Sequence, residues 1–477
     1  MTDHDTDVQQ VDTDVLIVGA GPTGLALAVD LARQGVAARL VERGAELFPG
    51  SRGKGLQPRT LEVLDDLGVL AEIRATAGHY PPNLFWRDGE PQGERRMYDP
   101  TEPSEAEPYT ETLMLPQWRT QQVLYGRLRD LGGEVAFGRE LVSLAQDGAG
   151  VTAGFADGGR VRARYAVAAD GGRSTVRRLL GIAMTGETVD PAPMLVADVR
   201  IDGLARTHWH VFQAEQGLLA LCPLAGTEEF QLVARFPAGQ AVDPTPDSIR
   251  ALVAERTHLT ADQVAGVGWT SEFRPRAALA DRFREGRVFL AGDAAHVHSP
   301  AGAQGLNTSV QDAYNLGWKL AAVLSGRADR ALLDSYQEER RANAEAMLKL
   351  STGVHRGEVR RGPATQQLGL GYRESALAVE TRADLPADAL RAGDRAPDGR
   401  RGGIRLFDAF RGPHWTLLAV GTDAELPELG VPVVRIPPYG AYGTGVFLVR
   451  PDGYVGWAGP DATGLAEYAA RHGAARG

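Results

Sequence analysis

The segment "TDVLIVGAGPTGLALAVDLARQG", residues 13–35, decides the fold. Its residues 15–18 form a short apolar run of the kind that becomes a buried strand, and apolar residues at helical spacing follow the glycines. Between the two, Gly19, Gly21 and Gly24 form the pattern G-x-G-x-x-G. The segment therefore predicts a strand, a tight glycine turn and a helix.

The three glycines have separate tasks in such a turn. The first permits the turn itself, the second lets the backbone approach a pyrophosphate, and the third lets the helix pack on the strand. Amide groups at the helix N-terminus then face the phosphate charge. A second strand, "AARLVER", ends at Glu42, at the distance where an acid binds a ribose hydroxyl. An ordinary glycine-rich turn is the alternative, but the whole context favours nucleotide binding. The motif does not distinguish NAD from FAD as the bound nucleotide.

The composition excludes several classes of protein. With 477 residues and 43% hydrophobic content, the chain has the size of two or three globular domains, and its net charge of -10 argues against nucleic-acid binding. The single cysteine, Cys222, excludes an internal disulfide and indicates a reducing compartment. The acidic residues 1–14 are unlike a signal peptide, and no apolar run approaches the roughly 20 residues that span a bilayer. We expect a cytoplasmic protein without nucleic-acid or membrane partners.

Two further segments repeat the strand-then-glycine pattern, each with an acid. "RYAVAADGGRSTVRRLLGI" has Asp170-Gly171 directly after a buried strand, and "GRVFLAGDAAH" has Gly292-Asp293 in the same place. Ligands collect at the carboxyl ends of strands in open α/β sheets. The sequence therefore predicts that both acids contribute to a ligand site.

Together, the G-x-G-x-x-G turn, the central Asp-Gly and the late Gly-Asp resemble the motifs of the single-component FAD-dependent aromatic hydroxylases. These are the group A flavoprotein monooxygenases of the para-hydroxybenzoate hydroxylase and phenol hydroxylase type. The resemblance covers essentially the whole chain. It is especially close to the members that oxidise aromatic polyketides and related antibiotics.

The resemblance implies roles along one extended FAD. The pyrophosphate would be held by the turn residues Gly19, Gly21, Pro22, Thr23 and Gly24, and the adenosine ribose by Glu42 and Arg43 at the end of the second strand. The flavin side would be contacted by Arg52 and Gln117, and both FAD and NAD(P)H by Asp170 and Gly171. The ribityl chain would be bound by Gly292 and Asp293, and one edge of the isoalloxazine would be lined by Pro300, Gly302, Gly305, Leu306 and Asn307.

Apolar residues at helical spacing follow that last loop, so Gly305 to Asn307 form the first turn of a helix. Reduced flavin carries negative charge near N1 and O2, and the free amides of a helix N-terminus stabilise an anion there.

Residues 186–273 alternate like the strands of an antiparallel sheet, and the aromatic segment 81–110 is expected to join it. A sheet laid over the flavin would form an apolar substrate cavity. Its candidate lining residues, each equally compatible with plain core, are Phe85, Trp86, Trp209, Phe212, Leu221, Cys222, Pro223 and Phe236. His210 is the candidate base that deprotonates a phenol.

The expected fold is α/β, with a Rossmann-like FAD-binding domain of the glutathione-reductase type, an inserted antiparallel-sheet domain and a thioredoxin-like C-terminal domain. The FAD-binding domain is discontinuous, comprising residues 1–80, 111–185 and 274–345, and the substrate domain comprises 81–110 and 186–273. A helical connection covers 346–392. The C-terminal domain, 393–477, has no Cys-x-x-Cys, so we expect a structural or oligomerisation role rather than redox chemistry.

Some residues have a second interpretation. His296 and His298 have the spacing of paired metal ligands, but no third ligand accompanies them, and packing or pocket-rim roles are favoured over a metal. Asp170 alone would serve to cap the following helix. Arg173 and Arg177 have the pattern of solvated helix charges. Trp118, beside Gln117, belongs either to the core or to a shield over the flavin.

The function that the resemblance implies is hydroxylation of a phenolic or polycyclic aromatic substrate. NAD(P)H would reduce FAD, and the reduced flavin would capture O2 as a C4a-hydroperoxide that transfers one oxygen atom. The absence of a second G-x-G-x-x-G fits transient binding of NAD(P)H. Baeyer–Villiger oxygenation is the alternative within the family. The alternatives outside the family are an FAD-binding protein without catalytic turnover and an NAD-dependent dehydrogenase.

Overall fold

The computed structural model describes residues 11–475, so the acidic segment 1–10 lies outside it. In chain order the strands are β1 (Thr13–Val18), β2 (Ala38–Val41), β3 (Gly55–Leu56), β4 (Gly78–His79), β5 (Asn83–Arg87), β6 (Glu90–Arg95), β7 (Leu113–Met114), β8 (Val135–Ala136), β9 (Leu141–Gln146), β10 (Val151–Phe155), β11 (Arg160–Ala168), β12 (Met184–Thr188), β13 (Met194–Ile201), β14 (Trp209–Ala214), β15 (Gly217–Pro223), β16 (Glu229–Arg235), β17 (Val264–Phe273), β18 (Arg276–Ala280), β19 (Arg284–Glu285), β20 (Val288–Leu290), β21 (His296–Val297), β22 (Val379–Glu380), β23 (Arg400–Arg401), β24 (Ile404–Arg405), β25 (Thr416–Val420), β26 (Val433–Ile436), β27 (Gly445–Val449) and β28 (Val455–Gly459).

The helices alternate with these strands along the chain. They are α1 (Pro22–Arg33), α2 (Pro58–Asp66), α3 (Leu70–Thr76), α4 (Gln117–Asp130), α5 (Thr175–Leu179), α6 (Pro246–Arg256), α7 (Gly305–Leu324), α8 (Asp334–His355), α9 (Pro363–Gln366), α10 (Leu406–Phe410) and α11 (Leu465–Arg471). Within residues 11–475, none of these helices has the length and apolar character needed to cross a membrane.

The sheet of the FAD-binding domain has the strand order β19-β20-β11-β1-β2-β8. Parallel pairing joins β20 to β11, β11 to β1 and β1 to β2. The carboxyl ends of β1, β11 and β20 therefore lie side by side at one edge of the sheet. The glycine turn, the Asp-Gly motif and the Gly-Asp motif follow these three strands, so segments more than a hundred residues apart in sequence meet at that edge.

The middle sheet has the order β17-β13-β16-β15-β14-β5-β6 and is antiparallel except where β5 pairs with β14. The aromatic segment joins it through β5 and β6, as the sequence predicts. Helix α6 covers one face, where Ile249 and Val253 pack against the apolar residues of the strands. The other face meets the FAD-binding domain, because the Cys222 Sγ on β15 lies 3.7 Å from the Met114 Sδ on β7.

The C-terminal sheet has the order β22-β28-β27-β25-β26 and begins earlier than residue 393, because β22 pairs with β28. A two-residue strand leaves no readable pattern in a sequence. The predicted boundary at residue 345 is also wrong, since it falls inside the continuous helix α8. After His355 the expected helical connection contains only the four-residue helix α9 and is otherwise irregular up to β22.

A buried ionic cluster fastens the C-terminal domain to the FAD-binding domain. Arg450, in the turn between β27 and β28, contacts Glu339 of α8 at 2.7 Å and Asp452 at 2.6 Å. Lys319 of α7 contacts the same glutamate at 2.7 Å, and Asn315 donates to both acids. The ionised side chains are at most 1% exposed. Removal of one member would leave buried charge without its partner.

We expect Arg450→Met to lower the free energy of unfolding by about 3 kcal/mol, because breaking a buried ion pair on one side strands the opposite charges. Urea unfolding followed by circular dichroism measures the change. Arg471→Met is the matched control, since Arg471 forms an exposed pair with Glu467 and its loss costs under about 0.5 kcal/mol. Equal effects of the two substitutions would contradict a stabilising role for the cluster.

Candidate functional site

The glycine turn after β1 has two glycines fixed by packing and one that leaves space. Gly19 has φ +106°, and a Cβ there or on Gly24 would overlap backbone oxygens, those of Ala169 and Gly19 respectively. A Cβ on Gly21 would meet nothing within 4 Å. Gly21 caps α1 without a side-chain acceptor, and Pro22 and Thr23 begin the helix. The first-turn amides of α1 therefore face open space, which is the arrangement that binds a pyrophosphate.

Glu42 lies at the end of β2 beside this turn. Its Oε2 accepts from the Ala20 amide at 2.9 Å and its Oε1 accepts from the Gly44 amide at 2.9 Å. The carboxylate thus holds the glycine turn and the next loop together, while it remains half-buried and within reach of a ligand. The neighbouring Arg43 is exposed.

Asp170 follows β11 and has one occupied and one unoccupied oxygen. Its Oδ2 accepts from the amides of Thr175 at 2.7 Å and Val176 at 3.2 Å, so it does cap α5. Its Oδ1 is buried and has no hydrogen-bond partner within residues 11–475. The adjacent Gly171 borders open space. The two interpretations of Asp170 are compatible, because the second oxygen is left for a ligand that donates a hydrogen bond.

Asp293 follows β20, and its side chain is exposed although Gly292 and Ala294 on either side are buried. Burial raises the pKa of the Asp293 carboxyl, while His296 and Arg52 act against that rise. An exposed side chain between buried neighbours is consistent with a position that lines a cleft. Gly292 (φ +61°) brings this loop against α1 and α7, because a Cβ there would press on Thr23 and Ser309.

Arg52 and Gln117 stand beside this cleft. The guanidinium of Arg52 lies 5.4 Å from the ring of Phe48 and 5.6 Å from that of Trp269, and it is exposed. Burial lowers the pKa of Arg52, and the charge of Asp293 opposes that change. Gln117 is the first residue of α4, and its Oε1 accepts from the Gly53 amide at 3.1 Å.

The loop after β20 is held by a buried network centred on Asp312 of α7. Asp312 accepts from the Gly292 amide at 3.0 Å, from Arg340 at 2.7 Å, and contacts His296 Nε2 at 2.6 Å. His296 Nδ1 lies 2.9 Å from His298 Nε2. Burial alone would raise the pKa of Asp312, but His296 and Arg340 hold it below the usual value. The two histidines are thus packing residues, and no cluster of three metal-ligating residues exists within residues 11–475.

The N-terminus of α7 faces the same cleft, but not with every predicted side chain. Asn307 is buried: its Oδ1 accepts from the Gln57 amide at 2.8 Å, and its Nδ2 donates to the oxygens of Gly55 at 2.8 Å and Ala303 at 2.7 Å. The Asn307 side chain therefore braces the loop, and its place at the flavin edge stays a prediction that would involve its backbone. Pro300 is exposed, Gly302 is packed against Ser351, and Gly305 and Leu306 are partly exposed.

Arg177 also differs from its prediction as a solvated charge. It is buried, and its guanidinium donates to the oxygens of Ala294 and Gly172, each at 3.0 Å. It therefore ties the Asp-Gly loop to the Gly-Asp loop. Arg173 is exposed, as predicted.

The alternation of the middle sheet separates the predicted pocket residues into two groups. Residues on the face covered by α6, away from the FAD-binding domain, are Trp86, His210, Phe212, Leu221, Pro223 and Phe236. His210 is 1% exposed, accepts from Trp86 Nε1 at 3.1 Å and donates to the Ala205 oxygen at 2.7 Å. Neither catalysis by His210 nor pocket lining by this group is compatible with that position. Trp209 and Cys222 lie on the face toward the FAD-binding domain, as does Phe85 by register.

Residues that the sequence did not single out complete the cleft. Lys54, Tyr80 and Gln231 approach Trp209 and Cys222 from the FAD-binding domain and from β16. One signal was available for Lys54: it is one of three lysines in an arginine-rich chain, and it stands in a glycine-rich loop two residues after Arg52. Tyr80 and Gln231 carry no local pattern.

The residues at this sheet edge fit an extended FAD. Open space above Gly21 leaves room for a pyrophosphate, the free Asp170 oxygen is available to accept a hydrogen bond, and the exposed Asp293 carboxylate would be free to bind a ribityl chain. The α7 N-terminus supplies amides at the far end.

A model of FAD binding domains matches residues 12–351, and a model of the C-terminal domain of aromatic-ring hydroxylases matches residues 389–475. The chain belongs to the FAD-dependent aromatic-ring hydroxylases. It is an FAD-dependent monooxygenase, and NAD(P)H and O2 are its co-substrates.

Individual members of this hydroxylase family match along nearly their full length. A flavin-dependent monooxygenase of Mycobacteroides abscessus is 44% identical over 96% of this chain and 99% of its own. A rifampicin monooxygenase of Streptomyces venezuelae is 35% identical over 94% and 96%. The crystal structure of aklavinone-11 hydroxylase with FAD and aklavinone superposes with a TM-score of 0.81 at 30% identity, over 97% of this chain and 99% of that one.

We expect Gly21→Ala to abolish FAD retention without destabilising the protein. The backbone of Gly21, with φ -72° and ψ 179°, suits alanine, but the new methyl group would occupy the space of the pyrophosphate. The flavin-to-protein absorbance ratio after purification should fall at least about tenfold, which corresponds to about 1.4 kcal/mol of binding. Gly126→Ala, also in open space but on α4, should keep full FAD content. Normal FAD content in Gly21→Ala would count against this pyrophosphate site.

We expect Asp293→Ala to be purified largely free of flavin, because the carboxylate that binds the ribityl chain is lost. Asp247→Ala is the control, since Asp247 is an exposed acid on α6. Reconstitution with FAD followed by fluorescence titration measures both affinities. An unchanged affinity in Asp293→Ala would refute its assignment.

Proposed function

We propose that this monooxygenase hydroxylates a phenolic ring of a polycyclic, polyketide-type aromatic compound. The carrying observation is the face of the middle sheet opposite α6, which presents Trp209, Cys222 and Gln231 toward the flavin-binding elements. An aromatic, largely apolar wall with a few polar groups suits a flat hydroxylated ring system. Relatives named for rifampicin, anhydrotetracycline and aklavinone support this substrate class.

When bound, FAD supplies the redox chemistry, accepting a hydride from NAD(P)H and activating O2. The chain's own residues would bind and orient it: the turn at Gly21 would hold the pyrophosphate, and Asp170 and Asp293 would accept hydrogen bonds from the nucleotide and the ribityl chain. The amides at the start of α7 would stabilise negative charge at the adjoining ring edge. The single glycine turn leaves NAD(P)H to bind transiently.

The middle sheet closes the cleft over the reacting centre. Its inward face is anchored to the FAD-binding domain at Ser51, whose amide donates to Asp198 Oδ2 at 2.9 Å. Such closure excludes water, which protects the oxygen-transfer step from wasteful loss of reducing equivalents. We also propose a cytoplasmic location, because the one thiol, Cys222, is buried and unpaired.

We expect NAD(P)H oxidation by the FAD-loaded enzyme to accelerate at least about tenfold when a hydroxylated polycyclic aromatic substrate is added, since oxygen transfer needs a positioned ring. With 18O2, mass spectrometry should find one labelled oxygen atom in the product, and NMR should place it as a ring hydroxyl. Asp293→Ala without bound FAD is the negative control. A labelled lactone would instead establish Baeyer–Villiger oxygenation, and stimulation by no aromatic compound would contradict the proposed function.

A further inference from the structure

Lys54 stands between the flavin-binding elements and the middle sheet. A Cβ on the preceding Gly53 would lie 3.1 Å from the Leu306 Cδ1, and a Cβ on the following Gly55 would lie 3.2 Å from the Ala303 Cβ. The backbone on both sides of Lys54 is therefore pressed against the loop and helix at the flavin's ring end. The side chain points the other way: its Nζ lies 4.5 Å from the ring centroid of Trp209 and donates to Gln231 Oε1.

The ammonium of Lys54 differs from those of the other two lysines in having no carboxylate partner. Lys319 contacts Glu339 at 2.7 Å, and Lys349 contacts Glu345 at 3.0 Å. Lys54 forms no ion pair within the part of the chain that the structure describes, and its one hydrogen-bond acceptor, Gln231, is neutral. An ammonium has three donors, and a buried charge without a counter-charge is costly. The site is arranged for an anion that the protein does not itself provide.

Among the described residues, the titratable groups around Lys54 place no anion in direct contact with its ammonium. Burial raises the pKa of the Cys222 thiol to about 11, so it is neutral. The Asp198 carboxylate carries a charge that favours the ammonium of Lys54. Its oxygens accept from the Ser51 amide and hydroxyl, however, and it reaches Lys54 only through Ser51 and Gln231. Burial lowers the pKa of Lys54, and the positive charge of Arg361 acts in the same direction.

The surroundings also define the shape and donors of the anion. Tyr80 and Trp209 lie with ring centroids 6.2 Å apart, and a Cβ on Gly55 would lie 2.8 Å from the Tyr80 hydroxyl. Burial raises the pKa of Tyr80, so its hydroxyl stays protonated and is able to donate. Lys54 and Tyr80 are partly exposed, and Asp293 is exposed. The cleft thus combines aromatic faces, a hydroxyl donor and positive charge.

We propose that Lys54 binds the ionised oxygen of the aromatic substrate, so that the enzyme selects acidic phenols or enolised 1,3-dicarbonyl compounds in their anionic form. The inference rests on the proposed function and names the substrate class. The substrate's proton leaves to solvent when it ionises, and Lys54 then donates a charge-assisted hydrogen bond to the oxygen. An ionised oxygen enriches the ortho and para ring carbons in electrons, and its fixed position determines which carbon approaches the flavin.

Gln231, Ser51 and Asp198 are positioning residues for this contact. Gln231 accepts from Lys54 through Oε1 and donates through Nε2 to Ser51, whose hydroxyl donates in turn to Asp198. The chain runs from the cleft to β16 and β13 and fixes the lysine relative to the sheet. Because Gln231 is neutral, it orients the ammonium without cancelling its charge.

The test uses the FAD-loaded enzyme and alizarin, a dihydroxyanthraquinone whose ionised form absorbs at longer wavelength than flavin. We expect the wild-type enzyme to lower the apparent pKa of the bound dye by about 1 unit, which corresponds to about tenfold tighter binding of the anion. Lys54→Met should abolish this shift, and Lys54→Arg should retain most of it. Lys349→Met, which removes an exposed lysine, should behave as wild type.

FAD content and the thermal unfolding midpoint of Lys54→Met show whether the variant is folded, and Lys54→Gln, which should also lose the shift, serves in its place if it is not. An unchanged dye pKa in Lys54→Met overturns the inference. So does equal affinity for alizarin and its dimethyl ether, or failure of the wild-type enzyme to bind alizarin. Aromatic-dependent NAD(P)H oxidation with non-ionisable substrates would overturn this inference while leaving the proposed function intact, whereas loss of all such oxidation would defeat the function itself.

Discussion

The cofactor site depends on one constraint, the parallel pairing of β20, β11 and β1. Parallel register places the three carboxyl ends at a common edge, and each end carries a glycine that allows the backbone to turn away. A Gly-Asp motif late in the chain thereby becomes a spatial neighbour of a turn near its start. Hydrogen bonds across the edge then fix the loops: Arg177 joins the second motif to the third, and Asp312 joins the third to α7.

The charged side chains in the interior differ in whether the protein itself supplies their partners. The Asp312 network, the Arg450 cluster and the pair of Arg395 with Glu62 each place opposite charges together, which is the condition under which burial is tolerated. Inside the cleft, and among the described residues, Asp170 Oδ1 has no hydrogen-bond partner and Lys54 has no ion pair. A bound ligand would complete the interactions of these two groups.

The sequence predicted those features that are local. The strand–turn–helix at residues 13–35, the acids after β11 and β20, and the first turn of α7 each lie within a short pattern, and the structure has them where expected. The incorrect predictions concern contacts between segments that are distant in sequence. Alternation identifies two faces of β14 but not which one meets the FAD-binding domain, so His210 was assigned to the wrong side. Asn307 and Arg177 have partners distant in sequence, and no local pattern reveals them. The sequence singles out Lys54 only because lysine is rare in this chain.

The turn at Arg450 has a consequence for the order in which the molecule matures. Its guanidinium reaches Glu339 of α8, while the Pro451 oxygen accepts from Tyr314 of α7 at 3.0 Å. These contacts form only after strands near the end of the chain have folded. During synthesis α7 therefore leaves the ribosome before the residues of the β27–β28 turn that contact it have been made. A prematurely terminated chain would contain every cofactor motif, but Glu339 would lack the guanidinium of Arg450. Such a chain would be an unstable substrate for proteolysis rather than a smaller working enzyme.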